Sequence, residues 1–136
     1  MEIKVTSKKE RIEKILKTHF GANATDEKFM KPRLKIMLFY AEEGKNILGF
    51  LYAYDLNDGY FRKCIIDDVS TGKKFDKKCA EKLVNKLIAY CKKEKIEAIG
   101  VNVGRYEYPA KTELALYKKL GFEVNKNEVS ATLILR

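Results

Sequence analysis

The stretch from residue 76 to residue 103 constrains the fold more than any other part of the chain. Ala80, Leu83, Val84, Leu87, Ile88 and Cys91 recur at the three- and four-residue spacing that lines one face of a helix, and lysines fill the opposite face. Asp76 stands just before this pattern, where a carboxylate caps the free amides of a first turn. The spacing therefore predicts a helix over 76–95. It is followed at once by Ala98-Ile99-Gly100-Val101-Asn102-Val103, a near-continuous apolar run of the kind found in a strand buried on both faces. Strand, helix and buried strand make a right-handed crossover, which sets 98–103 parallel to the strand before the helix. A chain built on this unit needs a sheet covered on both sides.

The remaining elements fit around it. Ile3 and Val5 suggest a short opening strand. Ser7-Lys8-Lys9-Glu10 has the spacing of a capping box, in which the serine hydroxyl takes the third amide and the glutamate reaches back. Ile12, Ile15, Leu16 and Phe20 then recur at helical spacing, and Gly21 ends the helix. Residues 23–32 read as a connector. From Arg33 the period changes: 33–41 and 46–55 are rich in aromatic and β-branched residues, with Glu42-Glu43-Gly44-Lys45 between them as a hairpin turn. Asn57-Asp58-Gly59 is a second turn, and 60–69 a third strand. After 98–103, Pro109 suits the first turn of a last helix, lined by Leu114, Tyr117 and Leu120 and closed by Gly121. Residues 122–124 and 129–135 are two strands around Asn125-Lys126-Asn127. The order β-α-β-β-β-α-β-α-β-β predicts an α+β (mixed α/β) fold, with a mixed sheet of six to seven strands and helices on both faces. With 136 residues, no repeat and no linker, it reads as a single domain over 1–136.

Composition narrows the function classes. No apolar run is long enough to span a bilayer, and Met1-Glu2-Ile3-Lys4 leads into no signal-peptide core, so a cytoplasmic protein is expected. Cys64, Cys79 and Cys91 are odd in number and too far apart for a CxxC pair, which predicts buried free thiols and neither a disulfide framework nor a zinc site. The single histidine, His19, makes neither a metal site nor a triad. Twenty-eight Lys and Arg face 19 Asp and Glu, a net charge of +9 that draws polyanions. The phosphates of a nucleotide-type ligand and nucleic acid both answer that description, and so does a lysine-rich proteome.

Two segments carry a family resemblance. Ala41-Glu42-Glu43-Gly44-Lys45-Asn46-Ile47-Leu48-Gly49-Phe50-Leu51 resembles the hairpin between the second and third strands of the GNAT (GCN5-related N-acetyltransferase) superfamily. Leu116-Tyr117-Lys118-Lys119-Leu120-Gly121-Phe122-Glu123-Val124 resembles that superfamily's Leu-Tyr-x-Lys-x-Gly-Phe segment, which ends the last helix and enters the sixth strand. The resemblance runs from Ile3 to Arg136. It implies acetyl-CoA as co-substrate, no metal, and acetyl transfer to an amine. It also implies a pyrophosphate site at the start of the long helix, where the family carries Arg/Gln-x-x-Gly-x-Gly/Ala. Here Phe75, Lys78 and Ala80 stand at the three signature positions, so only Ala80 agrees. The span Lys74, Phe75, Lys77, Lys78, Cys79 and Ala80, with Lys73 before it, is the candidate phosphate site. Lysine charge there substitutes for the lost glycine. Ala110 falls where the family has an asparagine.

The same resemblance implies that the pantetheine lies between the fourth and fifth strands, against Asp68, Val69 and Ser70 with Asn102 and Val103 opposite, and that an N–H near Val69 receives the oxyanion. Tyr117 is the candidate acid for the thiolate, with packing as its other reading. A base is also required. Asp67 and Asp68 are the first candidates, adjacent on a strand and so expected on opposite faces; Glu97, Glu107 and Glu113 are alternatives. Tyr106 and Tyr108 flank Glu107 in the loop after the fifth strand and are candidates to line an acceptor site. The acceptor is open among a small amine, a protein amine and an aminoacyl-tRNA, and a homodimer is possible in this family. The competing readings are a non-catalytic module of the same fold that binds nucleic acid or a protein through its basic faces, and a domain using another acyl-CoA or a carrier-bound thioester.

Overall fold

The computed structural model describes residues 1–20, 35–57, 61–104 and 108–135. The expected helix end at Gly21, the connector 23–32, the Asp58-Gly59 turn and the loop residues Tyr106 and Glu107 lie outside them. The elements are β1 (Glu2–Thr6), α1 (Lys9–Phe20), β2 (Lys35–Glu43), β3 (Asn46–Asn57), β4 (Arg62–Ser70), α2 (Lys77–Lys93), β5 (Ala98–Asn102), α3 (Ala110–Lys119), β6 (Glu123–Val124) and β7 (Ser130–Ile134). This is the order expected from the sequence. One mixed sheet runs β1-β2-β3-β4-β5-β7-β6, antiparallel throughout except for the parallel pair β4 and β5. The crossover through α2 is the cause of that exception.

Alternation along β2 divides the protein into two cores. Ile36, Leu38 and Tyr40 join Phe50 and Tyr52 of β3 beneath Ile12, Ile15 and Leu16 of α1. Met37, Phe39 and Ala41 point the other way, into a larger cluster with Leu51 and Ala53 and with Leu83, Val84 and Leu87 of α2. Both faces are covered, which is why six consecutive residues of β2 are buried. Each fully buried leucine or isoleucine contributes about 1.5–3 kcal/mol relative to exposure. Leu114, Leu116 and Tyr117 of α3 close the larger core, and Lys119 ties α3 to α2 through Glu81 at 2.8 Å. The cysteines are three buried free thiols, as the sequence predicts.

Two helix ends differ from expectation by a residue or two. Ile12 N–H donates to the Lys8 carbonyl, so α1 is capped at Lys8, and Lys8 N–H donates to the Thr6 hydroxyl at 3.2 Å. The cap lies one residue beyond Ser7, and the Ser7–Glu10 box is not formed. α2 stops at Lys93 because Lys95 turns left-handed, with φ 58°. Among the described residues no helix is long and apolar enough to cross a membrane.

Candidate active site

The parallel pairing of β4 and β5 runs from Lys63–Ala98 to Ile66–Val101 and stops. Beyond it β4 continues to Ser70 beside β3 alone, while Asn102 pairs with Ser130 of β7 and Val103 N–H donates to the Val129 carbonyl. The two strands part at a bulge. Ile66 lies opposite Ala53 and Asp68 opposite Tyr52, so Asp67 is the extra residue of the bulge. A bulge bends and further twists its strand, which turns the end of β4 away from β5. It also breaks the regular alternation along β4. Ala53 and Ile66 belong to the α2-side core and Tyr52 to the α1 side, so the step from Ile66 to Asp68 changes face over two residues. The register therefore sets Ile66 and Asp68 on opposite faces, with the bulge residue Asp67 between them.

The loop from β4 to α2 is held by its own side chains and by one tyrosine. The Thr71 hydroxyl accepts from Asp76 N–H at 2.7 Å and donates to the Lys74 carbonyl at 3.1 Å, closing residues 71–76 into a ring. Gly72 takes φ 88°, a left-handed conformation open to glycine. Tyr108, 7 % exposed, reaches across from the loop after β5. Its hydroxyl accepts from Thr71 N–H at 2.9 Å and donates to the Gly72 carbonyl, and its ring meets Phe75 edge-on at 5.0 Å. Below the loop, a Cβ on Gly49 would lie 2.8 Å from the Ser70 carbonyl oxygen, so β3 needs a glycine where the loop crosses it.

This arrangement decides which amides are open. Asp76 caps α2, its carboxylate accepting from Cys79 N–H at 3.1 Å, and Ala80 N–H donates to the Asp76 carbonyl. Cys79 and Ala80, candidates for phosphate contact in the sequence, are buried with their amides engaged. The amides of Lys73, Lys74, Phe75, Lys77 and Lys78 have no partner among the described residues, and the four lysine side chains are exposed. The open donors are thus the loop amides and the first two of the helix, within reach of the positive end of the α2 dipole.

α3 supplies the other wall. Gly104 N–H donates to the Glu113 carboxylate at 3.3 Å. A Cβ on Gly104 would come within 3.0 Å of the Ala110 side chain, so a small residue at 110 suits this close approach. Burial raises the Glu113 carboxyl above the usual range, opposed in part by the Gly104 amide. One turn further on, Tyr117 is 1 % exposed with its ring 5.1 Å from Phe122. Burial pushes its phenol well up, and the charges of Glu113 and Asp68 push in the same direction. Asp68, Glu113 and Tyr117 therefore share one electrostatic neighbourhood where β4 and β5 separate. Val69 is half-buried, Ser70 buried and Asn102 exposed at the same end of the sheet. Glu97 is elsewhere: it precedes β5, at the opposite end of that strand, and its carboxylate accepts from Arg62 N–H at 3.2 Å. A surface cavity of about 300 Å³ between Lys92 and Leu135 lies at that far end, away from this neighbourhood.

The family model described as acetyltransferase (GNAT) family matches residues 9–122. The chain belongs to that family. Among solved structures, this GNAT protein is similar to an N-acetyltransferase from Staphylococcus aureus Mu50, with a TM-score of 0.68, 12 % identity and 98 % of each chain covered. It is similar to a GNAT family acetyltransferase from Elizabethkingia anophelis with acetyl-CoA bound, with a TM-score of 0.65, 13 % identity and 98 % of each chain covered. The NatC complex bound to Gag peptide and CoA aligns with a TM-score of 0.62 and 16 % identity over the full length of both chains. Identities this low speak for the fold alone. Among curated proteins no significant relative was found.

Sequence reasoning named Asp68, Glu113 and Tyr117 as acid and base candidates, and it left Thr71 out. Tyr108 was a candidate acceptor contact; here it fastens the loop before α2. Its partners are 36 and 37 residues away, a separation no local spacing reveals.

Proposed function

We propose that the protein transfers an acetyl group from acetyl-CoA to a primary amine. The observation that carries this reading is the parting of β4 and β5 at the Asp67 bulge, with open amides in the loop that follows. The pyrophosphate is received by the amides of Lys73, Lys74 and Phe75, then Lys77 and Lys78, with the lysine side chains adding charge. The pantetheine follows the free edge of β4 along Asp68, Val69 and Ser70, with Asn102 across the gap.

In this scheme Glu113 is the base. Its raised carboxyl is a better proton acceptor near neutrality than an exposed carboxylate. It takes one proton from the substrate ammonium, and the amine then attacks the thioester carbonyl. The N–C bond forms, and the oxyanion is received by a β4 amide near Val69. Collapse breaks the C–S bond. The thiolate takes a proton from Tyr117, which is restored by the second proton leaving the amide nitrogen. Burial first, then the charges of Glu113 and Asp68, keep the Tyr117 phenol protonated and make it a weaker acid. Its donation to the thiolate is therefore coupled to arrival of the proton from the amide nitrogen.

A second reading, a non-catalytic module, draws on Asp76. Its carboxylate occupies Cys79 N–H and brings negative charge to the helix start, where a phosphate would otherwise bind. Release of free thiol from acetyl-CoA in the presence of a panel of small amines, peptides and aminoacyl-tRNA tests the choice. Amine-dependent thiol release that falls in Glu113→Gln and Tyr117→Phe supports the enzyme. No release with any acceptor, in a protein that binds no acetyl-CoA, supports the module.

A further inference from the structure

The net charge is concentrated. Residues 73–95 hold nine lysines against three acids, a surplus of six out of the whole chain's nine. Two of those acids are already engaged: Asp76 with Cys79 N–H, and Glu81 with Lys119 at 2.8 Å. On α2, Lys78, Lys82, Lys86, Lys92 and Lys93 are all exposed and make no ion pair among the described residues. At about 100° per residue the five fall within an arc of roughly 120°, directly opposite the buried row of Leu83, Leu87 and Cys91. The row extends over about 22 Å of helix.

We propose that this face of α2 is a docking surface for a nucleic-acid backbone. Three features select that partner. Lys78, Lys82 and Lys86 are spaced about 6 Å apart along the helix axis, four residues of rise each, near the rise of two phosphates at about 3.4 Å each on one strand. The positions among them are Asn85 and Ala89, so the face has no aromatic, arginine or aliphatic anchor of the kind that carries protein–protein affinity. The lack of an apolar edge likewise leaves nothing to enter a lipid surface. Unpaired lysines without apolar anchors give affinity through counterion release, which a polyphosphate offers and a sparse acidic surface does not. Lys78 belongs also to the proposed pyrophosphate site, but the lysines at 82, 86, 92 and 93 stand beyond it, so the test uses 82, 86 and 93.

The test is fluorescence anisotropy with a labelled mixed-sequence 20-mer, as single-stranded RNA and as duplex DNA, titrated from low to moderate salt. Five contacts give a slope of log K against log salt of about −3.5 for a single strand and −4.5 for a duplex. The variant Lys82→Gln/Lys86→Gln/Lys93→Gln changes only exposed side chains and is expected to keep its melting temperature. It should reduce the slope by two to three units and weaken binding at least tenfold at about 0.1 M salt. The control Lys14→Gln/Lys17→Gln on α1 should alter neither. Absence of binding at low salt overturns the proposal, as does an equal loss in the control. Polyglutamate or anionic vesicles competing as well as nucleic acid at matched charge also overturns it, in favour of an acidic protein or a membrane.

Discussion

Removing one oxygen atom from Tyr108 tests whether the loop before α2 is built for a ligand. Tyr108→Phe keeps the ring, and with it the edge contact to Phe75, so no cavity forms. It deletes the acceptor for Thr71 N–H and the donor to the Gly72 carbonyl. Each hydrogen bond contributes about 0.5–1.5 kcal/mol net, so the loss is about 1–3 kcal/mol. Thr71 and Gly72 are only half-buried, which favours the lower end because water can reach the orphaned groups. For a chain of this size the melting temperature should fall by roughly 4–10 °C. The loop also loses its tie to the far wall of the cleft, and acetyl-CoA must then order it on binding. An affinity loss of about tenfold corresponds to about 1.4 kcal/mol of such ordering. Calorimetric titration with acetyl-CoA and thermal denaturation of the same samples give both numbers. A variant that melts with the parent and binds acetyl-CoA equally well would refute the claim that this hydroxyl fixes the loop. A lower melting temperature with unchanged affinity would refute its connection to the ligand.

Three further changes probe neighbouring groups. Glu113→Gln should lower kcat by about 10²–10⁴ with little effect on acetyl-CoA affinity. Because burial raises this carboxyl in the folded protein, ionising it disfavours the fold: stability falls as pH rises from the ordinary carboxylate value through the raised one. The glutamine variant should lack that fall and be at least as stable as the parent above the window, as read from urea midpoints against pH. Gly49→Ala should cost about 1–3 kcal/mol, since its Cβ would meet the Ser70 carbonyl oxygen at 2.8 Å and the Cys79 sulfur at 3.0 Å; a denaturation midpoint equal to the parent's would show that the strand and loop are not in contact. The three thiols should resist a disulfide reagent at pH 8 in the native protein and react together in denaturant. Burial, with Asp76, pushes Cys79 up to about 11, and a hydrogen bond with Cys91 followed by burial pushes Cys64 higher still.

What was legible in the sequence was whatever periodicity encodes. The α2 stripe, the apolar run of β5 and the alternation along β2 each specify a buried face, and together they require the crossover and the two-sided sheet. Asp76 was legible as a cap because the capping position is local. Contacts across the chain were not. The Asp67 bulge leaves no mark in the sequence, since two adjacent aspartates read like any other strand residues, yet it bends β4 from β5. The Ser7 cap was displaced because the Lys8 carbonyl receives the first helical hydrogen bond. Glu97 and Glu113 look equivalent as half-exposed acids in a string of letters; the fold sets one at each end of β5. Lysines at the start of α2 were read as substitutes for a missing glycine. The structure adds that the amides beside them are open while those of Cys79 and Ala80 are engaged.

The most direct test of acetyl-CoA use is calorimetric titration of the protein with acetyl-CoA at moderate salt, beside a Lys73→Ala/Lys74→Ala/Lys78→Ala variant. Three exposed charges on phosphate contribute roughly 0.5–1 kcal/mol each, so the variant should bind about 10- to 100-fold more weakly. Micromolar binding by the parent with that loss in the variant is the predicted result. No heat of binding up to millimolar acetyl-CoA would contradict the account and leave the parted strands without a donor.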